Sequence, residues 1–272
     1  MRSALTLVLL AAAPAWGGGP LPVVTTSTDL KALAEAVGGD RVAVESLAPA
    51  VHDPHAVEVR PGQLRRLQAA QLLVRIGLDH EPWLARVLRT VNDARFAPGS
   101  PHDLDASRGL DLLQTEVARV RGERGVHVHG FGNPHYWLDP ANARPITAAL
   151  AEALGRLAPA DRGAFAANRA RFLERLDARL LRWGATLAPY GGARAVVVHD
   201  SWSYFARRFG LVIVAAVEPA PGVPPSPASL AARTGARAVT LIPSVGGDPE
   251  AGDYLALFDV NVGRLAQALG AR

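Results

Sequence analysis

The chain has no cysteine. That excludes disulfides and a thiolate metal site, and it leaves no cysteine for lipid attachment. Lysine occurs once, at Lys31, so nearly all of the 29 basic residues are arginine. Arginine does not titrate in the useful range, which inflates the pI of 10.1 although the formal charge is only +4. No block of five or six like charges gathers the arginines into a patch, so a nucleic-acid partner is not expected. Beyond the N-terminus, no apolar run reaches the ~18 residues that a membrane-spanning helix needs. A Walker A loop, HExxH and GxSxG are also missing, and Gly130-Phe131-Gly132 lacks the third glycine of a dinucleotide fingerprint. The ordinary nucleotide enzymes and the common zinc proteases are thereby excluded.

What is present fits a globular, exported protein. With 272 residues, 49% hydrophobic and 20% charged, the chain can bury a full core in one large domain or two modest lobes. The start, MRSALTLVLLAAAPAWGGGP, has Arg2, an apolar run from Ala4 to Ala15 and small residues at Ala13 and Ala15. This is the layout of a secretory signal peptide, assigned to residues 1–17, and the mature protein is expected free in a bacterial periplasm. The next segment reads as strand, helix, strand: an extended run from Val23, a helix capped by Thr28 or Asp29 and ended by Gly38-Gly39, then Val42–Leu47. A helix around Gln63–Ala70 and a buried strand at Leu72–Ile76 follow. This alternation predicts an α/β fold with mainly parallel sheets. Between Pro159 and Leu187, the residues Phe165, Phe172, Leu176, Leu180, Trp183 and Leu187 recur at helical spacing. They predict one long amphipathic helix, stopped by Pro189 and Gly191-Gly192, that joins two lobes.

The eight histidines carry the chemistry. His52 and His55 lie in HDPH, His127 and His129 in HVHG, His135 in NPHYWLDP and His199 in VVVHDSW. Pro54 and Pro134 stiffen the backbone before His55 and His135, and His199 ends an apolar strand, where parallel folds bind ligands. Imidazoles on stiff supports suit a pre-organised metal site. Taken singly, each reads first as a hydrogen-bonded core or rim residue. His80 (beside Glu81) and His102 are read that way, and His127 and His129 as an exposed auxiliary pair.

The segments HDPHAVEVRPGQL, GNPHYWLDP, VVVHDSWSYFARRFGL and EPAPGVPPSP together resemble the metal-binding solute-binding proteins of ABC importers, the ZnuA/TroA type. The likeness runs from about Pro22 to the C-terminus. It implies two α/β lobes joined by one long backbone helix: an N-terminal lobe at 18–157, the helix at 158–190 and a C-terminal lobe at 191–272. Carried over by position, the resemblance implies His55, His135 and His199 as metal ligands, and Zn(II) as the transported ion ahead of Mn(II) or Fe(II). Asp139, Asp200 and Glu218 become candidates to accept a ring N–H from a ligand. It further implies a monomer that hands zinc to an ABC permease in the inner membrane with its ATPase, and no enzymatic activity. A zinc hydrolase with three histidines and a water, or a metal chaperone or adhesin-like binder, are the alternatives. Two features depart from the family pattern. Pro243, in LIPSVGGD, stands where an aspartate ligand is often found, which leaves the fourth position to water, Asp248 or another residue. Ser226–Leu230 also runs directly into the last segment, so the C-terminal lobe is expected to be shortened by one βα unit of about 30 residues.

Overall fold

The computed structural model describes residues 19–50, 57–114, 132–216 and 236–270. The expected signal peptide, His52, His55, His127, His129 and Glu218 lie outside them. The chain opens with β1 (Leu21–Thr25), α1 (Thr28–Gly38) and β2 (Val42–Ser46). The cap of α1 is Ser27, not Thr28 or Asp29: its backbone is extended and its side chain accepts from Leu30 N–H. Asp29 is drawn inward instead, and its Oδ1 accepts from Val245 N–H at 2.9 Å. At Gly38 an added Cβ would collide with the side chain of Val42, so the turn into β2 requires glycine there.

After α2 (Pro61–Ala69), β3 (Leu72–Arg75), α3 (Leu84–Val91) and the three-residue β4 (Asp103–Asp105), the first sheet is complete. Its order is β2-β1-β3-β4, parallel throughout. Alternate side chains enter two cores, as a period of two demands. Leu21, Val23, Leu72 and Val74 face a core shared with α1, α4 (Ala143–Leu157) and α5 (Arg162–Leu187). Val24 and Leu73 face a second core, with Leu67, Leu84 and Phe96. Leu72, Leu73 and Val74 have no exposed surface. This part of β3 is apolar without a break because both faces of the sheet are covered.

The expected long helix is α5. Phe165, Phe172, Leu176, Trp183 and Leu187 form its buried stripe, and Leu180 is half-buried against the same core. It packs on α1, α4 and the C-terminal α7 (Tyr254–Gly270). On α7, Asp259 accepts from Trp183 Nε1 at 2.8 Å and from Arg179 Nε at 3.1 Å. A second parallel sheet follows α5: β5 (Arg194–Val197) and β6 (Val212–Ala216), connected by α6 (Ser203–Phe209). Among the described residues this sheet has two strands, and Val196 and Val212 remain 56% and 46% exposed. The 236–245 segment has no regular structure. At Ile242 the amide of Asn261 serves as its ladder partner, accepting from Ile242 N at 2.7 Å and donating to its carbonyl at 2.8 Å.

Candidate metal centre

The carboxyl ends of β1 and β3 form the floor of the site. Thr26 N–H donates to Val74 carbonyl at 3.0 Å, so both chains leave the sheet side by side. Parallel α/β sheets bind their ligands at such ends. The Glu81 carboxylate lies over this edge and accepts from Thr26 Oγ1 (2.5 Å), Ile76 N (2.6 Å) and Gly77 N (3.1 Å). Burial pushes its pKa up to about 7, against the pull of those donors and of Arg75. Between these anchors Gly77, Leu78 and Asp79 all have positive φ, and an added Cβ at Gly77 would meet the Asp105 carboxylate. Two consecutive non-glycine residues in the left-handed region are strained and persist only when the surroundings hold them. This loop delivers His80, which has no exposed surface, against His135 and Trp137.

His135 sits in a turn braced from three sides. Tyr136 hydroxyl donates to Ile76 carbonyl at 2.8 Å, Tyr254 hydroxyl to Trp137 carbonyl at 2.6 Å, and Trp137 Nε1 to Pro243 carbonyl at 2.9 Å. Its Nδ1 lies 2.9 Å from Asn133 Oδ1, which also accepts from His135 N–H at 3.0 Å. Asn133 Nδ2 donates to Asp200 carbonyl at 2.8 Å, which fixes the amide's orientation. Nδ1 of His135 is therefore the donor, and in the neutral ring Nε2 carries the lone pair that a metal would take.

His199 follows β5. The Ser201 N–H returns to the His199 carbonyl at 2.8 Å and turns the chain at once. Its ring centre is 5.1 Å from that of His135. The fold thus brings together two of the three expected ligands, His135 and His199; His55 lies outside the described residues. His80, read from sequence as an ordinary core residue, is the third ring of the row, 5.4 Å from His135. The only signal for it in the sequence is its place beside Glu81 in GLDHEPWL. Among the described residues, no three His, Asp or Glu side chains yet converge on one point.

The other candidates are engaged elsewhere. Asp139 caps the turn at Pro140 by accepting from Ala141 N–H, and its carboxylate takes both Arg208 Nε (2.7 Å) and Nη2 (2.8 Å). Asp200 accepts from Gln114 Nε2 at 2.7 Å and Ser203 Oγ at 2.5 Å. Asp248, one of the alternatives for the position that Pro243 leaves open, is paired with Arg264 at 2.7 Å. His102 keeps its ordinary role, with Nδ1 2.6 Å from Gln71 carbonyl.

The buried imidazoles of His80 and His135 and the half-buried one of His199 gather at the strand ends of a parallel α/β fold, an arrangement suited to a metal-binding protein. A family model described as "Zinc-uptake complex component A periplasmic" (ZnuA) matches residues 23–236. The chain belongs to this family of periplasmic metal-binding solute-binding proteins, which are not enzymes. The high-affinity zinc uptake system protein ZnuA of Paracoccus denitrificans is 32% identical over 230 residues, covering 77% of this chain and 70% of that protein. A crystal structure of ZnuA is 26% identical with a TM-score of 0.71, covering 92% of this chain and 99% of the other. The solute-binding protein FpvC of Pseudomonas aeruginosa, in complex with Ni2+, is 24% identical with a TM-score of 0.73, covering 92% and 97%.

Proposed function

We propose that this protein captures Zn(II) in the periplasm after removal of residues 1–17 and delivers it to an ABC permease with its ATPase. The observation that carries this reading is the meeting of His135 and His199 across the fold. His55 and His135 would act from an N-terminal lobe at 18–157 and His199 from a C-terminal lobe at 191–272, with the 158–190 helix holding the two apart. The bound ion would then clamp the lobes together. An imidazole-rich, cysteine-free site favours zinc over the harder Mn(II). FpvC carries nickel in its structure and the Paracoccus relative is named for zinc, so the choice of ion is the part that requires measurement. Neutral imidazoles bind the metal, so protons compete near their ordinary pKa of about 6.5.

Calorimetric titration of the metal-free mature protein with Zn(II), Mn(II) and Ni(II) tests the reading. One tight zinc site, weaker manganese and nickel, and loss in His199→Ala are expected. A folded sample with no saturable zinc site would overturn it.

A further inference from the structure

We infer that His80 is a direct metal ligand, supplying the fourth nitrogen where Pro243 can offer no side-chain donor. The inference rests on the zinc-capture reading above and adds a residue to its site. A tetrahedral zinc held roughly 2.0–2.1 Å from each imidazole nitrogen places two ring centres about 5 Å apart. The His80–His135 and His135–His199 separations, 5.4 and 5.1 Å, both fit that spacing. The two pairs are edge-to-face, with interplanar angles of 83° and 75°, rather than stacked.

The support of His80 is built for position. Its loop passes through three successive left-handed residues, Gly77 to Asp79, two of which carry side chains. Glu81, its neighbour in sequence, is fastened to the strand ends by Thr26, Ile76 and Gly77. His80 N–H closes the loop onto Gly77 carbonyl at 3.0 Å. Backbone strain of this kind gathers where a side chain has a task. An imidazole merely filling core volume would need neither the strain nor the tether. The chain near Pro243 bounds the same space, since Trp137 touches both His80 and His135 while donating to Pro243 carbonyl.

Zinc-edge X-ray absorption on the zinc-loaded native protein reads the ligand count directly, and zinc titrations of His80→Gln and His80→Ala accompany it. Four imidazole nitrogens and an affinity loss of about 100-fold or more in both variants are expected, beyond the 10–100-fold typical of groups that only orient a ligand. His102→Ala, remote from the row, serves as the unchanged control. Three imidazoles plus an oxygen, with His80→Gln binding as tightly as the native chain, would overturn the role of His80 and leave zinc capture standing. If the native protein itself binds no zinc, both readings fall together. Circular dichroism of each variant separates misfolding from lost ligation, and the absorption result stands without any variant.

Discussion

At the scale of single residues, the proposed site would depend on side chains that never touch the ion. Asn133 accepts the Nδ1 proton of His135 and so fixes which nitrogen faces the centre. Asn133→Ala should weaken zinc binding by about 10–100-fold with the fold intact. Asn133→Asp keeps the acceptor and should lose less, a contrast that zinc titration of the pair would display. Asp29 poses a different question. Burial pushes its pKa up to about 7, while Val245 N–H and the nearby Ser244 side chain pull the other way. The folded state therefore holds a proton that the unfolded state releases near 3.8. This contribution is full below the unfolded value and is lost as pH rises through about 7. Stability therefore falls with pH between those two values. Glu81 shifts in the same direction. Urea unfolding at pH 5 and 8 should show the metal-free protein losing stability across that interval. Asp29→Asn, which mimics the protonated group, should flatten the slope.

At the scale of elements, helix α6 ties the second sheet to the His135 turn. Arg208, near its end, forks onto Asp139, which is almost fully buried directly after the His135 turn. Tyr204 on the same helix donates to Asn133 carbonyl at 2.7 Å. Removing Arg208 leaves a buried carboxylate without its cation. Because the arginine is 40% exposed, a cost of about 1–3 kcal/mol is expected, below that of a fully buried pair. Arg208→Ala should lower the stability measured by urea unfolding by that amount, and adding Asp139→Asn should restore part of it. The elements differ in how plainly the sequence announces them. Helix α5 was legible because its apolar residues hold one period from Phe165 to Leu187, and β3 because Leu72–Val74 is an unbroken apolar run. The three residues of β4 have no such pattern, and their strand exists only because β3 offers an edge. The cap of α1 was misplaced by a residue or two for a similar reason: Asp29 is a good capping residue locally, but Val245 claims its carboxylate from across the molecule. The packing of His80 on His135 was illegible because the two are remote in sequence and only the fold joins them.

At the scale of the whole molecule, two pH trends oppose each other. The metal-free fold loses the help of Asp29 and Glu81 as pH rises toward neutrality, while deprotonated imidazoles gain affinity for zinc. Asp259 does not offset this: burial raises its pKa, but Trp183, Arg179 and Arg182 together hold it below the ordinary range, so its contribution fades only in acid. A bound ion stabilises by RT ln(1 + [L]/Kd). The gap in melting temperature between zinc-loaded and metal-free protein should therefore widen steadily from pH 5 to pH 8. Thermal scans at fixed free zinc would measure it, and a gap independent of pH would exclude histidine ligation.

The two sheets also differ in firmness. β3 is sealed on both faces, whereas β5 and β6 form a parallel pair with Val196 and Val212 turned largely to solvent. Among the described residues no third strand joins this pair, and a two-stranded parallel sheet opens by local fluctuation before a sealed one does. His199 hangs from its end. The lifetime of a captured ion would then be set by how often this strand pair breathes, and exchange of the Val212 amide, which donates to the Ala193 carbonyl, with deuterium should keep time with zinc dissociation.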